Sequence, residues 1–211
     1  MQIAIKSQKQ ISQNQTLFRS YALLHPILLL LKISLDILAL QDPKLVISKA
    51  FKLCITQGDL ATLKEGCWLN DKVIDFYLSL LMKRNRNHGE VHAAVKNWTK
   101  TQDVFLFDLL FVPLHLGMHW ALAVIDFKSQ TIQCYDSMGQ RHDDICHITS
   151  QICTRSRKDA IPKWVNGNDC GVFVCKYADF LSQGKPLTFR PCDIPLFRKV
   201  MIWEIIPQKI L

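Results

Sequence analysis

From His119 to Phe127 the chain reads H-W-A-L-A-V-I-D-F, apolar at odd and even positions alike. A half-solvated strand would alternate, so a strand apolar on both faces belongs at the centre of a sheet covered on both sides. K-S-Q supplies a turn, and T-I-Q-C-Y-D (Thr131–Asp136) returns as the next strand, which makes a hairpin. D-V-F-L-F-D-L-L-F-V-P (Asp103–Pro113) reads as a further buried strand and its exit. Gly171–Leu181, nearly all apolar but for Lys176 and Asp179, reads as a helix buried on most sides, and Phe197–Ile206 as an amphipathic helix. C-I-T-Q-G-D-L-A-T-L (Cys54–Leu63) predicts a short strand and then a helix capped by Thr56. Trp68-Leu69-Asn70-Asp71 opens another, capped by Asn70 or Asp71. Its apolar face is Val73, Ile74, Phe76, Tyr77, Leu80 and Leu81.

With 211 residues, 49% hydrophobic and 21% charged, the chain can bury one core and reads as one domain. Its seven histidines are scattered along the chain, and its eight cysteines are scattered without a C-x-x-C. They read as reduced thiols of an intracellular protein. The net charge of +8 is not gathered into a nucleic-acid-binding stripe. Lys83, Arg84 and Arg86, then Arg155, Arg157 and Lys158, form only short runs and are expected to be solvated helix ends.

Residues 1–43 have a different texture, Gln/Ser-rich and then Leu-rich, ending at Q-D-P. Basic residues ahead of Tyr21–Leu31 superficially resemble a signal or mitochondrial presequence. The run is interrupted by His25 and Pro26, followed by Lys32 and Asp36, and too short to span a bilayer. It reads better as an amphipathic helix packing on the domain or on a partner.

The hairpin carries chemistry. His119 starts one strand and Asp136 ends the other, so antiparallel pairing brings them to the same open end. An imidazole and a carboxylate placed so can hydrogen-bond, which fixes the tautomer and stabilises the imidazolium. Cys170 follows the turn N-G-N-D at the start of the buried helix, where the helix N-terminus favours a thiolate. Together they form a Cys–His–Asp nucleophilic constellation with backbone N–H groups aimed at a developing oxyanion. Singly, each has a plainer role: Cys170 structural, His119 capping, and Asp136 turn-forming within D-S-M-G.

H-W-A-L-A-V-I-D-F, Y-D-S-M-G, N-G-N-D-C-G-V-F-V-C-K-Y-A-D and W-L-N-D-K-V-I-D-F-Y (Trp68–Tyr77) resemble the SUMO-specific (sentrin-specific) protease family of ubiquitin-like-protein peptidases. The C-terminal F-R-K-V-M-I-W-E-I is similar to the helix that ends those catalytic domains, and the likeness runs over about Lys44 to Leu211. It implies an α+β fold: a papain-like cysteine protease core, a central mixed sheet flanked by helices, and the nucleophile at a helix N-terminus. It implies Cys170 as nucleophile, His119 as general base and Asp136 as the residue that orients it. Trp68 and Trp120 match two tryptophans that sandwich a Gly-Gly tail, with core packing as their alternative role. Asp71 matches an acidic contact to SUMO, and His115 a residue near the scissile bond. The implied function is thiol proteolysis after Gly-Gly of SUMO, in deconjugation from target lysines or precursor processing. The alternative is a catalytically impaired relative that binds SUMO or other partners. No metal or cofactor is needed. The expected partners are SUMO and SUMO-conjugated proteins, with no nucleic acid and no membrane. A monomer residing in the nucleus, with the cytoplasm as a second location, is the family expectation.

Three departures from the family stand out. Trp164 occupies the position of a glutamine whose amide helps form the oxyanion hole. Val91-His92-Ala93 runs into Ala94–Lys100 without the family's intervening strand-and-helix segment, and Asn97 stands where an arginine is expected. The stretch from Gly139 to Trp164 is shortened. The organisation expected is a divergent N-terminal segment, 1–43, and a catalytic domain, 44–211, lacking two internal segments.

Overall fold

The computed structural model describes residues 28–87, 92–94, 107–140, 142, 155–156 and 167–211. In chain order come α1 (28–39), a hairpin of β1 (Val46–Ala50) and β2 (Leu53–Thr56), α2 (Gln57–Ala61) and α3 (Asp71–Asn87). The strands β3 (His92–Ala94), β4 (Leu109–His115), β5 (Trp120–Asp126), β6 (Thr131–Tyr135) and β7 (Arg155–Ser156) follow. Then come α4 (Cys170–Ser182), a 3-10 turn (Pro191–Asp193) and α5 (Ile194–Ile205).

Strands β3 to β7 form one sheet in that order. β5 lies at its middle, antiparallel to β4 and β6, while β3 and β7 add in parallel at the edges, so the sheet is mixed. Ala121 to Ile125 are buried without interruption, as a strand apolar on both faces requires. Leu122 and Val124 face the large core shared with α3, α4 and α5, and Ile125 joins Phe107, Leu110 and Ile132 in a second cluster. The β5–β6 hairpin pairs Asp126 with Thr131 and places Gln130 at a φ of 52° in its turn. Asp103–Leu106 of the sequence-predicted strand lie outside the described residues.

Local signals set the helix starts. Thr56 caps α2 in a reciprocal box with Asp59, whose carboxylate accepts from the Thr56 N–H at 2.9 Å. Asn70 caps α3, its Oδ1 accepting from the Val73 N–H at 2.9 Å, and the whole expected apolar face of α3 is buried. Within α4 the two polar residues are not solvated. Lys176 donates to Tyr77 of α3 at 2.6 Å and to Asp179 at 3.1 Å, and Tyr77 donates to Glu204 of α5 at 2.7 Å. Three helices are thus joined by one buried polar network, in which every charge has a partner.

One expectation needs correction. Arg84 is not a solvated helix end: its guanidinium pairs with Asp179 at 2.6 Å and donates to Ser182 at 2.7 Å. Lys83 and Arg86 are exposed; Arg155 begins β7 and so is no helix end, whereas Arg157 and Lys158 lie outside the described residues. α1 packs on the domain: Leu30 is buried, Ile37 and Leu38 touch the core, and Ser34 donates to the Lys199 carbonyl of α5 at 3.0 Å. Among the described residues, no helix is long and apolar enough to cross a membrane.

Candidate active site

The β4–β5 connection is a four-residue loop closed by the His115–Trp120 pair, in which the Leu116 N–H donates to the His119 carbonyl at 2.7 Å. That turn fixes His119 at the end of β5. The β5–β6 register brings Asp136, one residue past Tyr135, back to the same end. His119 Nε2 then lies 2.9 Å from Asp136 Oδ1, the pairing expected from the hairpin. Asp136 is 1% exposed, and its ionised carboxylate also accepts from the Met138 N–H at 2.6 Å. Because a carboxylate only accepts, Nε2 carries the proton and the lone pair of His119 resides on Nδ1.

Cys170 is the first residue of α4 and is 3% exposed. Burial pushes its thiol pKa up. The backbone N–H groups of Trp120, Gly171 and Cys170 itself pull it down, and the charge of Asp136 pushes it up again. The helix N-terminus therefore favours the thiolate as expected, but desolvation outweighs it. The bond from the Trp120 N–H also places the sulfur beside the residue that follows His119.

The segment carrying Trp68 is tied to the cysteine loop in three ways. The Trp68 indole N–H donates to Asn168 Oδ1, and Asn168 Nδ2 donates to the Gly66 carbonyl. Arg198 of α5, 2% exposed, donates to the carbonyls of Thr62, Lys64, Cys67 and Asn168 and binds Asp169 Oδ1 at 2.7 Å. Gly171 makes room for the contact, because a Cβ there would sit 2.8 Å from the Leu69 Cβ. Trp68 stays 39% exposed, so core packing is not its role. Trp120 is half-buried and its ring lies 4.5 Å, centroid to centroid, from that of exposed His115. Asp71, exposed at the first position of α3, accepts from the Lys72 N–H. The structure thus brings His119, Asp136, Cys170, Trp120 and His115 together at one end of the sheet, with Trp68 on the adjoining loop. Trp164 lies outside the described residues.

Three site residues escape sequence reasoning. Asn168 acts through contacts 100 and 102 positions away and Arg198 through contacts 29 to 136 positions away, which no local pattern encodes. His142 Nε2 lies 2.6 Å from Asp136 Oδ2. An arginine inside the apolar F-R-K-V-M-I segment and a histidine shortly after D-S-M-G were the available signals.

A model of the Ulp1 protease family, C-terminal catalytic domain, matches residues 83–208. The chain belongs to the Ulp1 protease family. Human sentrin-specific protease 2 is 41% identical over 202 residues, covering 79% of this chain and 34% of the human protein. Mouse sentrin-specific protease 2 is 40% identical over 205 residues, covering 80% and 35%. A Caenorhabditis elegans sentrin-specific protease is 32% identical over 197 residues, covering 77% and 28%. The chain spans about a third of the length of these curated relatives. In fold it is similar to the C-terminal Ulp1 protease domain solved in complex with Smt3, the yeast ortholog of SUMO. There the TM-score is 0.73 at 23% identity, over 85% of this chain and 94% of that one. The SUMO protease Ulp1 with its catalytic cysteine oxidised to a sulfinic acid gives 0.71 at 24%, over 84% and 94%. The α+β architecture expected from sequence is therefore that of the family.

Proposed function

We propose that this chain is a thiol protease that cleaves after Gly-Gly of SUMO, releasing it from target lysines or trimming its precursor. The observation that carries the reading is the 2.9 Å His119–Asp136 bond beside a buried cysteine at a helix N-terminus. His119 Nδ1 removes the Sγ proton, and Asp136 stabilises the imidazolium that forms. The Cys170 thiolate attacks the glycine carbonyl, and helix N-terminal N–H groups donate hydrogen bonds to the oxyanion. The imidazolium then gives its proton to the leaving amine. Water, deprotonated by His119, hydrolyses the thioester. None of these steps needs a metal or cofactor.

Trp68 and Trp120 flank the approach to Cys170, and glycine is the residue slim enough to pass between two indoles. Asp71 contacts the SUMO body and His115 lies near the scissile bond. SUMO and its conjugates are the partners, met by a monomer in the nucleus with the cytoplasm as a second location. Partners and location rest on the resemblance to the family. The 202-residue alignment with the human relative occupies only 79% of this 211-residue chain, which supports a catalytic domain, 44–211, that lacks internal segments. Such losses weaken SUMO binding and raise KM, whereas Trp164 acts on kcat.

Cleavage of a SUMO precursor extended beyond Gly-Gly, followed on gels, tests the reading. Cleavage by the wild type and none by Cys170→Ser is expected; no cleavage by folded protein overturns it. In the same assay Trp164→Gln raises kcat by about a hundredfold or more, the usual worth of an oxyanion-hole donor.

A further inference from the structure

Asp136 has two oxygens and two histidines. Oδ1 receives His119 Nε2 at 2.9 Å and the Met138 N–H at 2.6 Å, while Oδ2 receives His142 Nε2 at 2.6 Å. Both imidazoles are largely shielded, with side chains 14% and 10% exposed. Among the described residues, the other titratable groups that feel this carboxylate's charge are Cys170 and Tyr177 of α4, and both have their pKa values raised by burial and by the charge of Asp136. One negative charge therefore serves two groups that can each become cationic.

We propose that His142 is a positioning residue for the proton relay, holding Asp136 toward His119 when neutral and competing for its charge when protonated. The inference rests on the catalytic reading above. A donor on Oδ2 fixes the carboxylate plane, which keeps Oδ1 aligned with His119 Nε2. Moving the Sγ proton to His119 Nδ1 creates a second cation near His142. If His142 already carries a proton, the two imidazolium charges repel across a buried carboxylate, and the transfer becomes less favourable. Imidazole ordinarily changes charge between about pH 5 and 8, so the competition grows as the medium becomes acidic.

Alkylation of Cys170 by iodoacetamide, followed by peptide mass spectrometry, reads the relay without any protein substrate. The thiolate displaces iodide, so the rate follows how readily His119 takes the proton. His142→Gln keeps a neutral donor of similar reach and cannot titrate. Its ratio of rates at about pH 5.5 and about pH 8 is expected to be about fivefold higher than that of the wild type. His142→Ala removes the donor and is expected to slow alkylation at about pH 8 by about tenfold. Circular dichroism reads folding separately, and His142→Gln carries the test if His142→Ala unfolds. An unchanged ratio in His142→Gln, or an unchanged rate in a folded His142→Ala, overturns the role of His142. Asp136→Asn distinguishes the two levels of the account. If its Cys170 reacts as fast as that of the wild type at every pH, the catalytic reading itself fails.

Discussion

Arg198 holds a position that only arginine satisfies. Its planar fork reaches four carbonyls on two loops and one carboxylate at once, and a lysine has neither the geometry nor the number of donors. Removing it leaves Asp169 and those carbonyls without their donor at the junction of α2, α5 and the cysteine loop. Arg198→Met is expected to lower stability by about 3 kcal/mol in urea titration, the scale for breaking a buried ion pair. At Gly171 the constraint is steric. An added Cβ would meet the Leu69 Cβ at 2.8 Å, and a carbon fixed to the backbone cannot rotate away. Gly171→Ala therefore moves the Trp68 segment away from Cys170. The expected outcome is a folded protein whose kcat/KM on a SUMO precursor falls about a hundredfold, since displacements near 1 Å cost that much. Full activity in that variant would show that the close approach is dispensable.

At the scale of elements, Asp59 joins α2 to the start of α3. Beyond its capping box it accepts from Asn70 Nδ2 and from Lys72 Nζ, both at 2.9 Å. Burial raises its pKa, but the bonds from Thr56, Lys72 and Asn70 together outweigh that and leave it below the usual aspartate value. A carboxylate with a depressed folded pKa contributes stability above its unfolded pKa and loses it as pH falls through the folded value. Asp59→Asn is expected to be about 1 kcal/mol less stable than the wild type at pH 7. That gap should close in acid, below the usual aspartate range, as followed by denaturant titration at several pH values. A gap that stays constant with pH would contradict the linkage.

The elements themselves were legible where the signal is local. The uninterrupted apolar run of β5, the K-S-Q turn, and Thr56 and Asn70 as caps fix strand, hairpin and helix starts within a few residues. The His119–Asp136 pair was legible because hairpin register is arithmetic once the turn is placed. Arg84 was misread because its partner, Asp179, lies 95 positions away and only the packing of α3 on α4 brings them together. His142 was invisible for another reason. A histidine shortly after D-S-M-G is the only signal there, and it does not say that the side chain turns back to the carboxylate six residues earlier.

For the whole molecule, the three packed helices and the mixed sheet act as a frame that holds two mobile chemical demands in one place. α4 must present a buried thiol at its first turn, and the β5–β6 hairpin must deliver a base and its orienting acid to that point. The buried network of Tyr77, Lys176, Asp179 and Glu204 locks α3, α4 and α5 together, so α4, which carries Cys170, cannot shift against its neighbouring helices without breaking charge pairs. The same frame carries the Trp68 segment through Arg198 and Asn168. The proposed catalysis depends on this assembly, in which Cys170 would be the working nucleophile. Incubating the purified protein with SUMO bearing a C-terminal vinyl sulfone tests it most directly. The account predicts a covalent adduct on Cys170 that is absent from Cys170→Ser. Folded protein that forms no adduct would contradict it.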